Sequence, residues 1–186
     1  NPIGSTGYGD AHVEAIWRDW DACAHQLRAL VRQAMARPDV SSVVVFGGSF
    51  GGWAVNRLAT LPGTPSLAAV ITHAGIFDHG VMWADCDDPA AFAWHLGPGA
   101  EALHRASPAR AVDHWTAPTL ILHGGRDFNV PVGQALALHH ALERRSVLHR
   151  LVVLPDEGHH VLTPRALVRW WAEIADFMAQ TALVPG

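Results

Sequence analysis

The chain has 186 residues; its 13 basic residues are all Arg, against 12 Asp and 5 Glu, giving a formal charge of −4 with every His neutral. A chain of this length buries roughly 70% of its unfolded surface and supports one core, and 49% apolar with 16% charged residues excludes a disordered chain. The mild acidity argues against a nucleic-acid partner, and no apolar run reaches the roughly 18 residues that a membrane span requires.

From Ala11 to Arg37, Val13, Ile16, Trp17, Trp20, Ala24, Leu27, Val31 and Met35 recur at three- and four-residue steps. That stripe predicts one long amphipathic helix, ended by Pro38. Cys23 lies at its edge and reads as an inert core thiol; with Cys86 it makes no CxxC pair, which favours a reducing, cytoplasmic location. Val43 to Phe46 is a β-branched run without alternation, as in a strand buried on both faces. A helix over Gly51 to Leu61 follows, then a strand over Leu67 to Thr72. The stretch from Ala74 to Pro108 is irregular and too long for a simple connection, and excursions of this kind often cover sites. Pro118 to His123 reads as a strand, Val132 to Arg144 as a helix and His149 to Leu154 as a strand. Thr163-Pro164 then opens a last helix whose apolar face is Leu167, Trp170, Ile174 and Phe177. Strands alternating with helices specify an α/β fold with a mostly parallel sheet.

Sites in open α/β sheets lie at the carboxyl ends of the strands. After the first strand stands Gly47-Gly48-Ser49-Phe50-Gly51-Gly52. The Gly-x-Ser-x-Gly spacing suits a sharp strand-to-helix turn that exposes the Ser hydroxyl, with Gly two positions either side where a side chain would collide. The Phe50 N–H, near a helix N-terminus, would face a developing oxyanion. After the Pro118–His123 strand, Asp127 stands in a turn from which a carboxylate could fix an imidazole tautomer. Alone, such an Asp is more often a turn residue, and any one of 13 His is more often structural. After the His149–Leu154 strand, Pro155-Asp156-Glu157-Gly158-His159-His160 places His159 just before the last helix. Ser49, Asp127 and His159 follow the Ser–acid–His chain order of α/β-hydrolases, each at a strand end. Their combination predicts a catalytic triad.

The residues resemble the peptidase domain of the prolyl oligopeptidase family, especially its acylaminoacyl-peptidase and dipeptidyl-peptidase-like members. The resemblance is collinear over essentially the whole chain, through Asn1 to Gly9, Gly47 to Gly52, His123 to Asp127 and Pro155 to His159. It implies an α/β-hydrolase fold, Ser49 as nucleophile, Asp127 as orienting acid and His159 as general base; no role is carried to His160. Related chains usually carry an Asp–Arg pair before the elbow strand, whereas Pro38-Asp39-Val40-Ser41-Ser42 lacks the Arg. They also carry upstream strands, including a His-Gly-Gly loop at the oxyanion site, and usually a β-propeller. Residues 1–186 are therefore expected to be the carboxy-terminal part of a larger hydrolase domain that pairs with its own amino-terminal portion.

The implied activity is hydrolysis of short peptides, of aminopeptidase, dipeptidyl-peptidase or acylaminoacyl-peptidase type, through an acyl-enzyme. Phe50, Trp53, Phe77 and Trp83 could line an apolar pocket for the side chain next to the scissile bond; a core role for these aromatics is the competing reading. A carboxylesterase of the same fold and a non-catalytic α/β interaction subunit are the alternatives, and a homo-oligomer is open to either. The histidines and Asp85-Cys86-Asp87-Asp88 invite a metal reading, but HExxH and paired Cys/His spacings are missing. No metal or cofactor is expected.

Overall fold

The computed structural model describes residues 1–97 and 99–182. Four parallel strands, β1 (Val44–Gly48), β2 (Ala69–His73), β3 (Thr119–Gly124) and β4 (His149–Leu154), lie side by side in sequence order. The connections run through α3 (Phe50–Thr60) between β1 and β2, α7 (Gly133–Glu143) between β3 and β4, and α8 (Pro164–Ala182) after β4. Along β2 the side chains alternate between the two faces. Val70 packs with Val55 and Leu58 of α3 and with Leu138 and Leu142 of α7, whereas Ala69 and Ile71 pack with Ile174 and Phe177 of α8. A strand buried on both faces needs apolar residues at every position, which is why β2 and β3 read as unbroken runs.

Three differences from the sequence-based expectations have physical causes. The long helix predicted over residues 11–37 is broken into α1 (Asp10–Glu14) and α2 (Asp21–Met35). Arg18, at φ 61°, turns the chain between them, and its N–H donates to the His95 carbonyl at 2.8 Å. Periodicity continues through such a turn because Trp20 still packs inward. β1, expected to be buried on both faces, is an edge strand among the described residues: it pairs with β2 alone, and Phe46 is 50% exposed. The excursion after β2 folds into α4 (His79–Asp85), α5 (Pro89–Leu96), α6 (Ala100–Ala106) and a 3₁₀ segment (Pro108–His114). Asp78 and Asp88 cap α4 and α5 by accepting backbone N–H bonds at their first turns.

Short helices bury little surface alone, and these share a core with the start of α3. Trp20, Trp53, Ile76, Met82, Leu96, Leu103 and Val130 form it. Trp53 Nε1–H donates to the Ala106 carbonyl at 2.8 Å, satisfying the polar atom of a fully buried indole. Asp39 pairs with Arg37 at 2.7 Å on the surface. Cys23 and Cys86 are both free thiols, and burial pushes the Cys23 thiol up. No helix among the described residues is long and apolar enough to cross a membrane.

Candidate active site

The turn at Ser49 is built from close backbone contacts. Ser49 adopts φ 56° and ψ −119°, a left-handed conformation that costs a side-chain-bearing residue on the order of 1–3 kcal/mol. Its N–H donates to the His73 carbonyl at 2.9 Å, and its carbonyl accepts from Trp53 N–H at 2.9 Å. A Cβ on Gly47 would stand 2.1 Å from the Gly51 oxygen, so Gly is required there. The second requirement falls one residue later than the motif argument placed it. A Cβ on Gly51 would meet nothing within 4 Å, whereas one on Gly52 would stand 2.5 Å from the Gly75 Cα. The helix packs against the β2 turn through Gly52, so the doubled glycine carries the contact.

Asp127 and His159 arrive from the ends of β3 and β4. The two loops are stitched together by Gly125 N–H to the Leu154 carbonyl (2.8 Å) and Arg126 N–H to the Glu157 carbonyl (2.9 Å). Buried Glu157 then accepts from the N–H groups of Leu162 (2.7 Å) and Thr163 (3.4 Å) and from the Thr163 hydroxyl, tying the His159 loop to the start of α8. The excursion reaches the same place, since Asp87 N–H donates to the Phe128 carbonyl at 3.0 Å.

These supports bring the three predicted residues into one hydrogen-bonded line. His159 Nε2 lies 2.9 Å from Ser49 Oγ, and His159 Nδ1 lies 2.9 Å from Asp127 Oδ2. The other carboxylate oxygen, Oδ1, accepts from the N–H groups of Asn129 (3.0 Å) and Val130 (2.8 Å). Burial alone would push the Asp127 carboxyl up. Hydrogen bonds from His123, His159 and the Val130 N–H outweigh it and hold the group well below the usual carboxylate range. The hydrogen bond to Asp127 in turn raises the His159 imidazole above its ordinary value, against burial. Phe50 is the first residue of α3, so its N–H has no carbonyl one turn behind it and stays available at the helix N-terminus. Such an arrangement can transfer a proton from a hydroxyl to an imidazole and support an anion beside the hydroxyl.

The expected aromatic pocket is not assembled as one wall. Trp53 and Phe77 are 0% and 4% exposed, and they belong to different cores, the first beneath the short helices and the second between α3 and α7. Both have their rings occupied by packing. Trp83 is half-buried and lines a cavity of about 560 Å³ with Asp78, Leu103 and His104, which none of Ser49, Asp127 and His159 borders. Phe50 packs its ring against Trp20 and Trp53, at centroid distances of 4.9 and 5.4 Å. His160 is exposed, its ring 5.2 Å from that of His159.

Two neighbours of the line were not singled out from the sequence. His123 Nε2, fully buried, is 2.7 Å from the Val130 carbonyl and 3.5 Å from Asp127 Oδ2. His73, the last residue of β2, has Nε2 3.3 Å from the His159 carbonyl. Both end predicted strands or directly follow one, and that position was the available signal among 13 His. Away from this site, His139, His140 and Glu143 of α7 carry metal-ligating atoms within 4.8 Å of one another, but their pairing is already internal: His140 with Glu143 at 3.4 Å and His139 with His149 at 2.8 Å.

The sequence model of the prolyl oligopeptidase family matches residues 1–183. Dipeptidyl-peptidase 5 of Schizosaccharomyces pombe is 25% identical over 187 residues, covering 96% of this chain and 27% of its own length. Dipeptidyl-peptidase 5 of Porphyromonas gingivalis is 32% identical over 135 residues, covering 68% of this chain and 20% of its own. Among solved structures, a puromycin-hydrolyzing peptidase of Mycobacterium tuberculosis superposes with a TM-score of 0.86 at 26% identity, over 100% of this chain and 29% of that one. An acylaminoacyl peptidase of Pyrococcus horikoshii, at 20% identity, shares the fold with a TM-score of 0.85 over 97% of this chain and 31% of its own. The chain thus spans about a quarter of the length of the curated relatives it matches. With its parallel sheet, its helices on both faces and this match along nearly its whole length, the chain has an α/β-hydrolase fold and belongs to the prolyl oligopeptidase family.

Proposed function

We propose that this chain carries the catalytic machinery of a serine peptidase that hydrolyses short peptides through an acyl-enzyme. The observation that carries the reading is the line from Asp127 through His159 to Ser49, with both hydrogen bonds at 2.9 Å. His159 Nε2 takes the Ser49 proton as Oγ attacks the scissile carbonyl. Asp127 keeps the imidazole in the Nδ1–H tautomer and stabilises the imidazolium. The Phe50 N–H supports the oxyanion; His159 then protonates the leaving amine, and a water repeats the sequence to release the acid. The relatives named as dipeptidyl-peptidases and as a puromycin-hydrolyzing peptidase favour short amide substrates over simple esters.

The domain is completed, in this reading, by an upstream portion of the same protein that pairs with β1 and supplies a second oxyanion donor. Support comes from the open edge of β1, from half-exposed Phe46, and from a groove of about 410 Å³ lined by Leu30, Val31, Val43, Val45, Phe46 and Phe50. An unpaired edge beside an apolar groove is suited to receiving another strand.

The test is labelling of the full-length protein with a fluorophosphonate, combined with hydrolysis of dipeptidyl, acyl-aminoacyl and ester chromogenic substrates. Labelling should map to Ser49, and Ser49→Ala should lower turnover by several orders of magnitude. Normal peptide hydrolysis by a folded Ser49→Ala protein would falsify the assignment, and turnover confined to esters would replace peptidase with esterase.

A further inference from the structure

We propose that His73 is a positioning residue that holds the nucleophile and the general base in register, through its main chain and its ring respectively. The inference rests on the triad reading above and adds a residue to it.

The main-chain half is a single bond. The His73 carbonyl accepts the N–H of Ser49 at 2.9 Å, at the point where Ser49 is held at φ 56°. That bond continues the β1–β2 ladder, in which Gly48 pairs with His73, one residue past the end of β1. It anchors a backbone conformation that would otherwise relax.

The ring half follows from donor and acceptor logic. Trp170 of α8 places its Nε1 3.2 Å from His73 Nδ1, and an indole nitrogen can only donate. Nδ1 must therefore present its lone pair. With Nδ1 accepting, the ring is neutral and its one proton sits on Nε2, and burial pushes the imidazole pKa in the same direction, downward. Nε2 points at the His159 carbonyl, 3.3 Å away, which is an acceptor. The whole arrangement permits one tautomer, and the Trp170 ring stands edge-on to it at 89° and 5.8 Å. The groups around the imidazole are Trp170 from α8, His123 and Asp127 from the β3 end, and His159 from the β4 end.

His73 thus anchors the peptide unit from which the His159 imidazole projects, and that imidazole must meet both Ser49 and Asp127. Released from this anchor, the His159 loop can drift, and a displacement near 1 Å costs on the order of 100-fold in rate. A neutral ring at the same place but lacking a donor would fill the space without holding the loop.

The experiment compares His73→Phe, His73→Gln and Trp170→Phe in the full-length protein. Phe keeps the ring and removes the donor; Gln keeps an amide donor. His73→Phe should lower kcat roughly 10- to 100-fold with KM within about 2-fold, because only the reacting geometry changes. His73→Gln should recover most of that loss. Trp170→Phe, which leaves His73 in place but frees its tautomer, should lower kcat by a smaller factor and combine non-additively with His73→Phe. Proton–nitrogen NMR should show the Nε2–H tautomer of His73 whatever the activity. An Nδ1–H tautomer, unchanged kcat in His73→Phe, or equal losses in the Phe and Gln variants would overturn the inference. Should His73→Phe fail to fold, the tautomer and the Trp170→Phe kinetics decide the matter. Absence of Ser49 labelling in the unsubstituted protein overturns the triad reading itself, whereas normal labelling with unaffected His73 variants overturns the His73 inference alone.

Discussion

A Cβ placed on Gly124 would stand 2.0 Å from the carbonyl oxygen of Gly158. The end of the strand that leads to Asp127 and the residue just before His159 therefore meet backbone to backbone. Any side chain at 124 must push the two loops apart. Gly124→Ala should destabilise the protein by about 1–3 kcal/mol or more through overpacking. Because the displacement falls between the proposed acid and base, it should also lower turnover. Denaturant unfolding together with kcat measured on the folded fraction checks both effects.

Gly51 and Gly52 make a sharper comparison because they are neighbours in one helix. Gly52→Ala drives its new methyl into the Gly75 Cα at 2.5 Å, while Gly51→Ala enters open space. The first substitution should cost on the order of 1–3 kcal/mol. The second should be neutral or stabilise by up to about 1 kcal/mol through helix propensity. Equal unfolding midpoints for the two variants of this chain would contradict the packing described for α3.

The rate should depend on pH through His159. Its imidazole must be neutral to accept the Ser49 proton, and the hydrogen bond to Asp127 raises its pKa above the ordinary 6.5. Activity should therefore fall as pH drops through a value above 6.5. Asp127→Asn removes the cause of the shift, moving that acidic limb lower while reducing kcat by roughly 10⁴-fold. The stability effect has the opposite sense. The stabilisation from the raised His159 pKa is fully present below the unfolded value and is lost as pH rises through the folded one. The lowered Asp127 pKa contributes above the unfolded carboxylate value and is lost as pH falls through the folded one. The pair therefore stabilises most between roughly pH 4 and 6.5, where turnover is already declining. Rate and unfolding profiles measured on one preparation should show the two maxima apart.

His79 acts against that acid-side stability. It is 1% exposed among Trp20, Trp53 and Phe92, neither ring nitrogen has a partner among the described residues, and burial pushes its pKa down to about 3. The unfolded chain binds a proton here below about pH 6.5 and the folded chain does not, so stability falls as pH drops. His79→Phe should remove that loss, improving stability at pH 5 by about 2 kcal/mol relative to its effect at pH 8. Thermal or denaturant unfolding at the two pH values tests the difference.

Asp21 and Arg57 join α2 to α3 by two hydrogen bonds of 2.7 Å, with the Arg side chain 13% exposed. Asp21→Ala should cost about 1–3 kcal/mol, since it leaves a largely buried guanidinium short of its acceptor. Turnover of the folded protein should change little, because the pair lies at the opposite end of α3 from Ser49.

Much of this candidate site is legible along the chain because its residues sit at strand ends. Ser49, Asp127 and His159 each stand just after an apolar run that reads as a strand, with turn glycines close by. What is illegible has a common cause. The expected helix over residues 11–37 breaks because one left-handed residue, Arg18, redirects the chain without disturbing the apolar spacing. Phe46 reads as buried from its neighbours Val44 and Val45, but exposure depends on which strand lies alongside. Trp53 reads equally well as pocket or core and Phe77 has both readings open, and the structure packs both in the core.

The alternation of strands and helices, the sheet's parallel sense and the three side chains at its carboxyl end can be read along the chain. Those properties follow from local periodicity and turn chemistry, which neighbouring residues carry among themselves. That Gly52 rather than Gly51 carries the helix contact, and that His73 meets His159 across a separation of 86 residues, emerges only in the folded chain. Contacts of that kind depend on how strands stack and loops close, and no local pattern in the chain encodes the distance between them.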